Sequence, residues 1–182
     1  DLEWIDALPG TKVILKGNHD YWWPSSSKLK EALPSSIHFI QNTASTKNCI
    51  TIGGCRLWDT TEYSFSEHIH FKENPLAKEK KKDLAAEQKI FERDLIRLRL
   101  SLEKLDPTAN LRIAMTHYPP IDADLTPSAA SKILEEFKID ICVFGHLHNV
   151  KKERLLFGEK RGIRYLFTAA DYLEFKPILL TA

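Results

Sequence analysis

The sequence predicts an α/β domain, and two observations carry this prediction. Residues 111–116, 128–137 and 139–144 read in turn as an apolar strand, a helix and a nearly all-apolar strand, an alternation typical of helices packed on a mainly parallel sheet. The 182 residues, of which 43% are hydrophobic and 28% charged, suit one globular domain. We therefore expect a single α/β domain over 1–182.

Helix signals and strand signals also alternate in the first half of the chain. Residues 2–8 have helical spacing, with Pro9 and Gly10 as a stop, and a second helix is predicted from the Ser25 cap region to Leu33. Short apolar runs predict strands at 12–16, 37–40, 47–52 and 55–58, with a turn at 53–54 between the last two.

A long amphipathic helix is predicted over 78–105, after a polar and irregular segment at 60–74. Its apolar residues recur at helical spacing, namely Phe91, Leu95, Leu98, Leu102 and Leu105. The lysine-rich run at 78–82 is interpreted as the solvated start of this helix, with contact to an anionic partner as the alternative. Residues 155–157 and 163–168 predict a hairpin, and 178–181 predict a final strand.

The overall charge and the cysteine pattern exclude several classes of function. Lys and Arg total 26 against 25 for Asp and Glu, a net charge of +1, so no general field attracts a long nucleic acid or a membrane surface. No apolar run approaches the roughly 20 residues of a membrane span. Cys49, Cys55 and Cys142 lack metal-type spacing, which favours free thiols in a reducing, cytoplasmic compartment, and Cys142 reads as an inert buried thiol.

Four of the seven histidines follow predicted strands directly. His19 follows the strand at 12–16, His117 follows 111–116, and His146 and His148 follow 139–144. Because the carboxyl ends of strands in an open α/β sheet meet at one crevice, we expect these imidazoles to lie together. Imidazole and oxygen ligands suit Zn, Mn or Fe. Any one of these histidines alone would more often be structural.

Three motifs occur in a defined order: Gly17-Asn18-His19-Asp20, Thr116-His117-Tyr118-Pro119-Pro120 and Gly145-His146-Leu147-His148. Together they resemble the calcineurin-like metallophosphoesterases, and the stretch 16–23 is similar to a bacterial branch of predicted phosphohydrolases. The resemblance implies a four-layer α-β-β-α sandwich. The family's Asp-x-His and Gly-Asp motifs do not occur ahead of Gly17, so we expect a piece of a longer protein that lacks the first βαβ segment.

The resemblance also implies a ligand set and a reaction. Two divalent ions (Mn, Fe or Zn) would hold a bridging hydroxide that attacks phosphorus. Asn18, His117 and His146 would bind one ion and His148 the other, whose remaining ligands belong to the missing motifs. His19 would donate a proton to the leaving oxygen.

Neighbouring residues have two interpretations each. Asp20 either orients His19 or holds the turn. Tyr21, Trp22 and Trp23 either form a wall for the organic half of the substrate or pack in the core. His68 and His70 form another His-x-His pair, without a strand end to place it, and together with His38 are weaker candidates.

The sequence thus predicts a phosphoesterase that hydrolyses a phosphate mono- or diester of a small substrate, complete only with upstream residues. The alternative is a non-catalytic remnant or metal-binding interaction module, and a further possibility is that another chain supplies the missing ligands. The fold does not choose among substrates.

Overall fold

Two β-sheets organise the chain in the computed structural model, which describes residues 2–70, 83–153 and 157–181. The smaller sheet pairs β1 (Lys12–Leu15) in parallel with β2 (Ile37–Ile40). The strands of the larger sheet are β3 (Ser45–Lys47), β4 (Ile50–Cys55), β5 (Leu111–Thr116), β6 (Ile141–Phe144), β7 (Gly158–Lys160) and β8 (Ile163–Phe167).

The larger sheet has the order β3-β4-β5-β6-β8-β7. Strands β4, β5, β6 and β8 are parallel, and β3 and β7 are antiparallel edge strands. Parallel strands need crossover connections, which place helices against the sheet. The mixed α/β class predicted from the sequence is therefore confirmed.

Within the described ranges, four α-helices and one short 3₁₀ helix accompany the sheets. They are α1 (Leu2–Ala7), α2 (Ser26–Ala32), α3 (Leu84–Leu102), α4 (Ala129–Glu136) and the 3₁₀ turn Ser66–His68. Asp83 caps α3, because its carboxylate accepts from the amides of Ala85 and Ala86. Residues 78–82, predicted to start this helix, lie outside the described residues, and the predicted end at 105 is wrong because α3 ends at Leu102.

The hydrophobic core lies between the larger sheet and helices α3 and α4. Leu98, Leu134 and Phe144 are almost wholly buried there, and each such side chain stabilises the fold by about 1.5–3 kcal/mol relative to its exposed state. All four residues of β1 are only half-buried. β1 itself therefore buries less apolar surface than the central strands of the larger sheet, whereas Ile37 and Ile40 of its partner β2 are buried.

The predicted turn at Gly53 and Gly54 is wrong, because both residues lie inside β4. Gly54 has a φ of 150°, and a Cβ there would lie 1.8 Å from the carbonyl oxygen of Met115. Only glycine allows β4 and β5 to approach so closely at this point. Residues 56–58, predicted as strand, instead leave the sheet towards the candidate site.

The predicted hairpin is present, because β7 pairs antiparallel with β8, and its second strand, predicted at 163–168, is β8. The first strand is misplaced: Phe157 precedes β7 and has a φ of 69°, which does not suit a strand, while 155–156 lie outside the described residues. The predicted final strand is wrong, because residues 178–181 form no strand.

The three cysteines are free, as predicted. Burial raises the pKa of the Cys55 and Cys142 thiols well above the ordinary range, which makes both poor nucleophiles. In the part of the chain that the structure covers, no helix is long and apolar enough to cross a membrane.

Candidate metal centre

Three of the four predicted metal ligands meet at the carboxyl ends of the strands. Asn18 follows β1, His117 follows β5 and His146 follows β6. The Oδ1 atom of Asn18 lies 2.7 Å from Nε2 of His117, and Nδ1 of His146 lies 3.2 Å from the same nitrogen. The two sheets therefore bring an amide oxygen and two imidazole nitrogens to one point.

The loop after β1 reaches His117 because residue 17 is glycine. A Cβ on Gly17 would lie 3.1 Å from Cε1 of His117, tighter than ordinary contact. The carboxylate of Asp20 holds the loop, since it accepts from the Gly17 amide at 2.6 Å and from the Trp22 indole at 3.1 Å. In this structure Asp20 makes the contacts of a turn carboxylate.

Aromatic packing and backbone conformation orient His146. Its φ of 70° is in the left-handed region, which a residue with a side chain adopts at an energetic penalty and which is common at functional sites. The ring of Tyr118 lies 3.8 Å from the His146 ring and 5.3 Å from that of His117, measured between centroids. The two imidazoles are therefore held in place without a bound ion.

Burial keeps His117 neutral. Desolvation lowers the pKa of His117 from 6.5 to about 4, and the electrostatic influence of nearby His146 lowers it further, whereas that of Asp20 opposes the shift. A neutral imidazole has a lone pair to offer, as a metal ligand must. His117 is thus in its ligand form throughout the physiological pH range.

His148 lies beside a carboxylate that sequence reasoning missed. Its Nδ1 is 3.3 Å from Oδ1 of Asp171, and Oδ2 of Asp171 accepts from the Asn149 amide at 2.9 Å. Burial alone would raise the pKa of Asp171, but this hydrogen bond and the charge of His148 lower it overall. Nε2 is therefore the ring nitrogen of His148 that lies away from the Asp171 carboxylate.

The aromatic and histidine side chains that follow Asn18 differ in their exposure to solvent. His19 is exposed, with its ring edge-on to Tyr21 at 6.2 Å between centroids. Tyr21 and Trp22 are exposed to 86% and 54%, whereas Trp23 is buried and donates to Oε1 of Gln41 at 2.7 Å. Trp23 therefore packs in the fold, and only Tyr21 and Trp22 face solvent beside His19.

The backbones of His68 and His70 are hydrogen-bonded to the loop after β6. The His70 amide donates to the Asn149 carbonyl and the Lys151 amide to the His68 carbonyl, both at 2.9 Å. The His70 ring lies 3.9 Å from Glu153. His38 in β2 lies 3.1 Å from Oγ of Ser45.

The converging atoms fit one divalent ion. Two nitrogen ligands at 2.0–2.1 Å from a tetrahedral metal lie about 3.3 Å apart, and the two imidazole nitrogens are separated by 3.2 Å. The described ranges contain no group of three or more His, Cys, Asp or Glu able to hold a metal. The Asn18 oxygen, 2.7 Å from Nε2 of His117, would be the third donor atom, and two imidazoles with an amide oxygen have a donor chemistry suited to Zn, Mn or Fe.

A mixed α/β fold with imidazoles gathered at its strand ends is typical of α/β proteins that bind metal ions. A family model of the calcineurin-like phosphoesterases matches residues 2–150, and the chain belongs to this family of metal-dependent phosphoesterases. No curated protein and no solved structure matches it significantly.

Proposed function

We propose that the chain hydrolyses a phosphate mono- or diester at a divalent-metal centre bound by Asn18, His117 and His146. The observation that carries the proposal is the convergence of these three ligand atoms within 2.7–3.2 Å in a chain of this family. A bound cation would supply Lewis acidity and a water of lowered pKa.

The protein's own groups complement an anionic substrate. Asn18 offers a neutral oxygen, and burial keeps His117 neutral. Because both ligands are neutral, a bound cation would keep its positive charge and its attraction for phosphate oxygens. This ligand set therefore favours a substrate that carries a negatively charged phosphate.

His19 is the proposed proton donor to the leaving oxygen. It is exposed and next to Asn18 in the sequence, so its ring is free to reach a substrate bound at the centre. The hydrogen bond from Gly17 to Asp20 restrains the backbone on both sides of it. A positioned imidazole acid contributes about 10²–10⁴-fold to such a step.

The second ion of the proposed dinuclear centre would bind at His148. The contact with Asp171 aims Nε2 of His148 away from the carboxylate. Since the described residues hold no cluster of three or more acidic, thiol or imidazole ligands, we propose that further ligands come from residues not described here. We further propose Mn, Fe or Zn as the ions, and a cytoplasmic location in a bacterium. The free thiols support a reducing compartment.

A metal-binding module without turnover is the second candidate. It is favoured by the assembly of only one compact ligand set among the described residues, at Asn18, His117 and His146. Such a module would bind one ion and no substrate. The two candidates differ in whether metal binding leads to hydrolysis.

The test measures Mn²⁺ binding by calorimetry and hydrolysis of bis(4-nitrophenyl) phosphate and 4-nitrophenyl phosphate, on both the 182-residue chain and the full product of its gene. We expect metal-dependent turnover that His19→Ala lowers without weakening Mn²⁺ binding. Metal binding without turnover in either protein would establish the module instead. Absence of both would refute the proposed centre.

A further inference from the structure

A cleft of about 300 Å³ adjoins the candidate metal centre at His146 and Tyr118. Its lining combines two kinds of side chain: Trp58, Tyr63, Phe65, Ile69, Tyr118, Pro119 and Leu147 are aromatic or apolar, and Asp59, Thr60, Ser64, Ser66 and His146 are polar. The volume is at the lower end of the range for small-molecule sites, about 300–1,000 Å³. A single small ring system fits these dimensions, whereas a polymer does not.

The inner wall of the cleft is preorganised. The rings of Trp58 and Tyr118 lie 5.4 Å apart, and the guanidinium of Arg56 lies 4.4 Å from the centroid of Trp58 on its ring face. The indole N–H of Trp58 donates to the carboxylate of Glu87. Stacking and hydrogen bonding thus fix the Trp58 ring before any ligand arrives.

The outer wall is formed by the segment 59–70, and several contacts fasten it. The Tyr63 hydroxyl donates to the Pro119 carbonyl at 2.8 Å. Phe65 packs on Tyr63 at 5.4 Å and on Phe157 at 5.9 Å between ring centroids. The Ile69–Val150 bridge ties the end of the segment to the loop after β6. The cleft therefore has two fixed aromatic walls.

The charge of the cleft differs from that of the metal centre. Of the described residues that line it, none is Lys or Arg, and Asp59 contributes a carboxylate. With no Lys or Arg in its lining, the cleft offers a phosphate group less attraction than a cation beside His146 would. The apolar walls suit an uncharged group attached to that phosphate.

We propose that this cleft binds a flat aromatic ring in the organic part of the phosphoester. The ring would lie between Trp58 and Phe65 while the phosphate lies at the metal centre. The inference rests on the proposed function and narrows its substrate class to phosphoesters of ring-bearing alcohols. Aromatic walls on both sides reward a planar group more than an aliphatic one of equal size.

The test compares two phosphonates that are not hydrolysed, phenylphosphonate and methylphosphonate, in calorimetric titrations of the Mn²⁺-loaded full-length protein. We expect phenylphosphonate to bind about tenfold more tightly, which burial and stacking of one ring support. Phe65→Leu keeps apolar bulk but removes the ring, and should reduce this preference to less than about threefold. Phe175→Leu, at an 82% exposed position outside the cleft, should leave it intact.

A second readout does not depend on any variant. Phenylphosphonate should shift the indole N–H resonance of Trp58 in ¹H–¹⁵N spectra of the wild-type protein loaded with diamagnetic Zn²⁺, and methylphosphonate should not. Equal affinities with no Trp58 shift would overturn the inference and leave the proposed function standing. Failure of both phosphonates to bind the Mn²⁺-loaded protein would overturn the proposed function, and the inference with it.

Discussion

The candidate centre joins two regions of unequal burial. His117 and His146 follow central strands of the six-stranded sheet, next to a core in which Phe144 is 1% exposed. Asn18 and His19 follow β1 of the two-stranded sheet, and all four residues of β1 are half-buried. The imidazole ligands are thus built on the better-packed region. His19, the proposed proton donor to the substrate, lies on the less buried region.

The largest expected effect is on the well-packed side of the centre. His117→Ala removes the nitrogen that both Asn18 and His146 face. Mn²⁺ affinity and turnover should fall by more than the roughly 10–100-fold that loss of an outer partner of a metal-bound histidine causes. Calorimetry and the nitrophenyl assays measure the two quantities.

His38→Ala is the matched control for that change. His38 is also a histidine, but it lies on β2 and contacts Ser45 instead of the centre. It should bind Mn²⁺ as the wild type does. If the two variants bind the ion equally well, the centre is not at His117.

The second prediction tests the difference in packing itself. Leu134 in α4 is completely buried, whereas Leu15 in β1 is half-buried beside a cavity of about 190 Å³. Leu134→Ala should lower the free energy of unfolding by about 3 kcal/mol, and Leu15→Ala by about 1 kcal/mol. Urea unfolding curves give both values. Equal losses would show that the smaller sheet is as well packed as the core.

Much of the larger sheet could be predicted from the sequence, because its central strands are short apolar runs between polar loops. Strand β5 begins and ends as predicted, and the predicted strand at 139–144 contains β6. The failures arise from tertiary contacts. Gly53 and Gly54 carry a turn signal, yet the close approach of Met115 places them inside β4.

The convergence of Asn18, His117 and His146 could be predicted because a strand end is a position that sequence alone reveals. Asp171 could have been found by the same rule, since it lies four residues after β8. The aromatic cleft could not, because its walls come from segments far apart in the chain, such as 58–69 and 118–119. Only the folded chain brings them together.

The third prediction concerns the contact that links His148 to Asp171. Asp171→Asn keeps the size of the side chain but removes the charge that orients Nδ1 of His148 at 3.3 Å. Metal affinity or turnover should fall by about 10–100-fold. Calorimetry with two equivalents of Mn²⁺ should show the loss in the second equivalent alone. A loss confined to the first would assign Asp171 to the His117 half of the centre.

The smallest expected effect is the pH dependence of stability that burial of His117 produces. Its pKa is lowered to about 4 in the folded protein from 6.5, so the unfolded chain binds a proton first as the pH falls. The stabilisation is therefore complete above pH 6.5 and is lost as the pH falls towards 4.

Between pH 7 and pH 5 the metal-free wild type should lose about 1–2 kcal/mol through His117. Urea unfolding with EDTA measures this loss, and His117→Ala provides the comparison because it removes that one group while the other histidines still titrate. The variant should show a flatter dependence over the same range. Parallel curves for the two proteins would mean that burial does not desolvate the His117 ring. The half of the centre built on the six-stranded sheet would then be as accessible to water as the loop that carries Asn18 and His19.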